Sequence, residues 1–139
     1  MKLLNEASPS DFQYPIVFLP CRDLQTTRLF YNRMLGFPIA LDQGSCLIFR
    51  VGTKETKGYW GFCVGASYEL ADPERICLTL VVSTQKQVDQ WHAKLAKLCI
   101  VCKRAPSYRR EFHIYNTFFQ DPSNYSLEIQ AFDSEHAPQ

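Results

Sequence analysis

The sequence has no run of apolar residues approaching the roughly 20 that a bilayer-crossing helix requires, and this argues against a membrane span. It has no excess of charge of either sign. The 15 Lys and Arg stand against 14 Asp and Glu, for a formal net charge of +1. Nucleic-acid binding needs concentrated positive charge, so this balance argues against such a partner. The first residues, "MKLLNEASPSDFQ", lack the long apolar segment of a secretory signal, and the expected location is cytoplasmic. There is one CxxC, Cys99–Cys102, and no second pair to complete a zinc ribbon.

What is present is a sizeable apolar complement, 46% of 139 residues, which suits one domain with a real core. Six cysteines fall at 21, 46, 63, 77, 99 and 102. Most lie among Val, Leu, Ile and Phe, where a free thiol behaves as a small hydrophobe. Without an export signal, the expectation is that all are reduced and structural.

The chain reads as two halves with the same order of elements. "YPIVFLPCRD" opens with a strand over about residues 15 to 21, and Asp23 is a good N-cap. "LQTTRLFYNRML" follows as an amphipathic helix, with Leu29, Phe30 and Met34 pointing inward and Gly36 as its left-handed C-terminal cap. Strand-like runs "FPIALD", "SCLIFRV" and "YWGFCVG" complete this half. In the second half "RICLTLVV" is a strand, and Ser83 or Thr84 caps a helix with Val88, Trp91, Leu95 and Leu98 on one face. "CIVCKRA" is strand-like, "KRAPSYRREF" reads as a basic loop, and "EFHIYNTFF" with "YSLEIQAF" forms a closing hairpin. The joining loop is "ASYELADPER". A βαβββ repeat of about 60 residues constrains the architecture more than any single motif does. Module one covers about 14–66 and module two about 74–132, with terminal extensions at 1–13 and 133–139. In the last hairpin, Asp121-Pro122 favours a turn start and Asn124 tolerates positive φ.

"FYNRMLGF", "ICLTLVVSTQKQVDQWHAKL" and "FFQDPSNYSLEIQAF", in this order, resemble the vicinal oxygen chelate superfamily, which includes glyoxalase I, bleomycin- and fosfomycin-resistance proteins and extradiol dioxygenases. The resemblance implies an α+β fold of two βαβββ modules enclosing a cleft, and a homodimer. By strand alternation it places Glu128, Ser126 and Gln130 in the cleft, with Leu127 and Ile129 beneath a helix. Ile114, Asn116 and Phe118 face the cleft from the preceding strand, Ile16 and Phe18 from the first, and Cys77 and Thr79 from the fifth. Val17, Leu19, Leu78 and Leu80 pack on the other side.

Metal-dependent members of that superfamily use His or Gln in the first strand, Glu ending module one, His opening module two and Glu in the last strand. Residue by residue, the first position falls on Ile16 and the third on Cys77. The second falls on Gly61 or Cys63, and only the last, Glu128, is a matching ligand. The resemblance therefore implies a small-molecule binding protein of the glyoxalase/bleomycin-resistance type, with a degenerate metal site and no resident cofactor. The alternative is a lyase, isomerase or dioxygenase that holds a divalent metal through Glu128 and Cys77. A further reading makes Glu128 a general base in a desolvated cleft. Candidate ligand-binding residues are Phe18, Arg50, Trp60, Cys77, Thr79, Arg109, Arg110, His113, Asn116, Phe118 and Gln130, with Tyr59 also in the cleft wall. The arginines are included because guanidinium groups suit carboxylate or phosphate ligands. His113 falls on the helix-packed face by strict alternation, or at the cleft mouth if the strand starts irregularly. His92 reads as rim packing and His136 as part of a polar tail. Cys99 occupies a helix-ending position where glycine is common, so the helix ends without a positive-φ cap or with Cys99 strained.

Overall fold

A computed structural model describes residues 12–65 and 72–139. Most of the N-terminal extension and residues 66–71 of the joining loop lie outside the described residues. The architecture is α+β, with two four-stranded mixed sheets, each carrying one main helical segment. In the first module β1 (Ile16–Pro20) runs parallel to β4 (Gly58–Cys63). The sheet order is β1-β4-β3-β2, with β2 at Ile39–Asp42 and β3 at Cys46–Val51. The second module repeats this as β5-β8-β7-β6, with β5 (Cys77–Val81) parallel to β8 (Ser126–Phe132). β6 spans Cys102–Arg109 and β7 spans Ile114–Gln120.

The first helix begins as expected. Asp23 accepts a hydrogen bond from the Thr26 amide, and α1 (Leu24–Arg28) follows. It then widens into a π-helical segment, Leu29–Met34, in which the Leu35 amide reaches back to the Phe30 carbonyl. This shift in winding changes which side chains point inward. Phe30, Tyr31 and Leu35 are buried, whereas Leu29, expected inside, is 49% exposed. Gly36 closes the segment at φ +79°. The second helix, α2 (Gln85–Lys97), starts with a full capping box between Thr84 and Gln87 and buries Val88 and Leu95. It ends with Cys99 at φ +60°, the strained alternative. The Ile100 amide bonds the Leu95 carbonyl there, as in a Schellman motif.

Three other expectations are corrected. "KRAPSYRREF" is not a loop along most of its length, because β6 runs through Lys103 to Arg109. Pro106 is accommodated there since β6 is an edge strand, with register shifts on either side of Arg104. Val17, expected to pack beneath the sheet, is 48% exposed, because β1 is also an edge strand. Cys46 and Cys63 are not free thiols. They are directly opposed on adjacent antiparallel strands and form a disulfide, while Cys21, Cys77, Cys99 and Cys102 remain free.

One contiguous core draws on both sheets, including Phe30, Tyr31, Phe49, Phe62, Leu95, Phe119, Leu127 and Ile129. The turn between β7 and β8 connects the modules. Asp121 Oδ1 accepts the Ser123 and Tyr125 amides at 2.8 and 2.9 Å, and Asn124 takes φ +72°. Asp121 Oδ2 accepts the Tyr31 hydroxyl at 2.8 Å from the other module. The Arg22 amide donates to Ser123 Oγ at 3.1 Å, and the Tyr125 hydroxyl donates to the Pro20 carbonyl. Burial dominates the electrostatics of this turn. It raises the Asp121 carboxyl above the ordinary range and pushes Tyr125 up to about 12.

Candidate functional site

The polar cluster of the second sheet is built by strand register. Glu128 on β8 stands between Thr79 on β5 and Phe118 on β7. It is 8% exposed. Its Oε1 accepts the Thr79 hydroxyl at 2.7 Å and lies 3.8 Å from the Cys77 sulfur. Its Oε2 accepts Asn116 Nδ2 at 2.6 Å. Asn116 Oδ1 in turn accepts a guanidinium N–H of Arg104. The Arg104 guanidinium sits 5.0 Å from the centroid of the Phe118 ring, in cation–π contact. Its Nε is buried without a partner among the described residues. Lys103 Nζ donates to Ser126 Oγ at 2.8 Å. Gln130 is buried beside this row and pairs with Asn116 and Val81.

The Cys77 thiol is held above its ordinary pKa, first by burial and then by the neighbouring Glu128 charge. It is the neutral thiol, a weak donor, that faces the carboxylate at neutral pH. Cys77 is nevertheless an exposed residue, so the cluster is open to solvent on that side.

The equivalent positions in module one are stripped of polar chemistry. Phe18 and Thr79 each stand five residues before a helix N-cap, Asp23 and Thr84 respectively. Phe18 pairs with Gly61 as Thr79 pairs with Glu128. Gly61 is therefore the counterpart of Glu128, and the end-of-module position is Gly61 rather than Cys63. A Cβ built on Gly61 would lie 2.5 Å from the Phe18 ring. The aromatic ring fills the volume that a carboxylate side chain there would need.

These positions do not fit a four-ligand divalent-cation centre. Ile16 has no donor atom, and Gly61 has no side chain and is covered by Phe18. The donors that remain are one carboxylate, Glu128, and the Cys77 thiol, two of the four that such a centre needs. Divalent ions of this class are held by several N, O or thiolate donors together.

The structure brings Cys77, Thr79, Asn116, Glu128 and Gln130 together, with Phe118 at their edge. Phe18 is 47% exposed and lies on the face of sheet one shared by Gly61, Tyr59 and Arg50. Arg50 Nε is buried without a partner among the described residues. Trp60 is on the opposite face, where its ring meets Tyr31 at 6.2 Å and Phe37 at 6.0 Å edge-on. It belongs to the helix-packed side and not to the cleft. Arg109 is tied to Glu111 at 2.7 Å, and Arg110 is exposed in the β6–β7 turn. Neither bonds to the Glu128 cluster among the described residues. His113 takes φ +55° in that turn and packs against His136, so it also lies outside the cluster. His92 is at the rim, 5.7 Å from Phe119.

Arg104 is the residue that sequence reasoning missed. Assigning "KRAPSYRREF" to a loop hid the signal, since a strand through it puts Arg104 opposite Phe118.

No protein-family model matches the chain, and no curated protein sequence matches it. Solved structures do. A glyoxalase/bleomycin resistance protein/dioxygenase from Nocardioides superposes with a TM-score of 0.75, at 14% identity, over 99% of this chain and 94% of that one. A protein of the same description from Alicyclobacillus acidocaldarius gives 0.69 at 19% identity, over 88% and 93%. The genomically encoded fosfomycin resistance protein FosX of Listeria monocytogenes gives 0.68 at 15%, over 93% and 98%. The chain has the vicinal oxygen chelate fold. Both four-stranded sheets and nearly its whole length fall within that likeness.

Proposed function

We propose that this chain binds a small organic molecule against the open face around Glu128, without a divalent cation. The observation that carries the reading is the Arg104–Asn116–Glu128–Thr79 hydrogen-bond chain, which fixes a carboxylate beside the solvent-accessible Cys77. A carboxylate fixed from both sides by neutral donors is pre-organised to accept one more hydrogen bond. It favours a ligand that carries a hydroxyl or amine. Phe18, Tyr59 and Phe118 supply aromatic surface. Aromatic walls with a few convergent polar groups describe a small-molecule pocket. Binding of this kind requires no reaction.

The same reading includes a homodimer, supported by the exposed apolar side chains Tyr14, Val17 and Val81. It also includes a cytoplasmic location, where a reducing pool would act on the Cys46–Cys63 bond.

The test is a ligand-observed NMR screen of small aromatic amines and phenols against the full chain. Hits should weaken by tenfold or more in Glu128→Gln and in Phe18→Ala. Hits indifferent to both substitutions would overturn the assignment.

A further inference from the structure

Away from the Glu128 face, the far end of the β7–β8 hairpin gathers two imidazoles and a carboxylate. Ile114 pairs with Phe132, so the residues just beyond that pair, His113 and Asp133, are neighbours by register. The backbone closes the arrangement. The Asp133 amide donates to the His113 carbonyl at 3.0 Å, and the His136 amide donates to the Asp133 carbonyl at 2.9 Å. His113 is set at φ +55°, out of the strand's alternation. That turns its ring onto His136, with centroids 3.8 Å apart and planes 10° from parallel. One donor atom from each of His113, Asp133 and His136 falls within 4.8 Å of the others. His113 Nδ1 stands 4.0 Å from Asp133 Oδ2, too far for a hydrogen bond, so Asp133 does not satisfy that nitrogen.

We propose that His113, Asp133 and His136 form a binding site for one divalent first-row transition-metal ion, of the zinc, nickel or copper class. Two imidazole nitrogens and one carboxylate oxygen are the donor set such borderline ions favour, with water filling the remaining positions. An ion held at about 2.0–2.2 Å from each donor draws these atoms to within roughly 3.5 Å of one another. All three side chains are partly or fully exposed, so modest torsional adjustment supplies that contraction. The Tyr108 hydroxyl donates to Asp133 Oδ2 and orients the carboxylate, as outer partners of metal ligands do. Arg109, in the adjoining turn, is neutralised by Glu111. The exposed Arg110 is the opposing charge there. The site is independent of the ligand-binding face, and its role is to fasten residues 133–136 to the β6–β7 turn.

The test is titration of the EDTA-treated full chain with Zn²⁺ alone and with Ni²⁺ alone, read by competition with a chromophoric chelator. One ion per chain is expected, with the His113 and His136 ring resonances shifting together. Affinity should fall by tenfold or more in His136→Ala and in Asp133→Asn. His136 lies in an exposed segment, so its replacement leaves folding intact. His113→Asn tolerates the positive φ and should show the same loss. Cys77→Ser/Glu128→Gln and Cys99→Ser/Cys102→Ser should bind as the unaltered chain does. Undiminished binding in His136→Ala, loss of the ion in either control, or no binding at 100 µM metal (on the order of a weak surface site) would overturn the proposal.

Discussion

Tyr31 and Asp121, 90 residues apart, meet through a hydrogen bond of 2.8 Å in the buried core. One belongs to the "FYNRMLGF" segment and the other to the "DPSN" turn, so the two most recognisable stretches of the sequence touch in space. Tyr31 also stacks on Phe62, with centroids 4.6 Å apart, and both side chains are fully buried. The contact holds the last hairpin of module two against the helix of module one.

Tyr31→Phe should cost about 1–3 kcal/mol, because it leaves one buried Asp121 oxygen without its donor. Urea denaturation gives the number. A double-mutant cycle with Asp121→Asn should show coupling, since the two groups share one bond.

The Asp121 carboxyl should leave a signature in the pH dependence of stability. Burial raises its pKa above the ordinary 3.8, so the folded state holds the proton more tightly than the unfolded state does. That contribution is complete below the unfolded value and is lost as pH rises through the folded one. Stability of the unaltered chain relative to Asp121→Asn should therefore fall as pH increases from about 4 upward. An opposite slope in the difference would contradict the burial argument.

Cys99→Gly should stabilise the chain by about 1 kcal/mol, since glycine adopts the left-handed helix end without a Cβ penalty. The native residue sits there at φ +60°. The urea midpoint is the readout, and a decrease would show that the thiol makes a compensating contact.

Thiol titration of the unfolded, non-reduced chain should count four free sulfhydryls of six. Reducing the Cys46–Cys63 bond, or replacing both residues with Ala, should lower stability by about 3 kcal/mol for a short closed loop. The modest size of that loop, with a sequence separation of 17, sets the expectation.

Gly61→Ala should destabilise by about 1–3 kcal/mol through overpacking. The added methyl group would strike the Phe18 ring. Adding Phe18→Ala should recover part of the loss, which tests whether this one ring is the obstacle.

The sequence displayed the module order, the two faces of β8 and the Asp121–Asn124 turn because each leaves a local trace. Leu127 and Ile129 alternate with Ser126, Glu128 and Gln130, so the two faces of β8 differ chemically. "YWGFC" offers no such contrast. It is apolar on both faces, and its central glycine has no side chain to mark one, so Trp60 was assigned to the wrong side. The π-helical winding is invisible to a 3.6-residue period, and it exchanges Leu29 for Tyr31 in the core. The basic run Lys103, Arg104, Arg109 and Arg110 reads as solvated loop charge, and Pro106 is tolerated in β6 only because that strand lies at an edge. The Cys46–Cys63 pairing follows only from the β3–β4 register.

The Phe18 ring over Gly61 also bears on how the chain can change. A lone substitution placing an acid at 61 meets the ring, whereas the half-exposed Phe18 can be shortened without leaving an enclosed void. An acidic side chain at this position of module one therefore needs the ring moved or shortened first. Packing sets the order of the two changes, and a laboratory route to a carboxylate on this face of module one should begin at position 18.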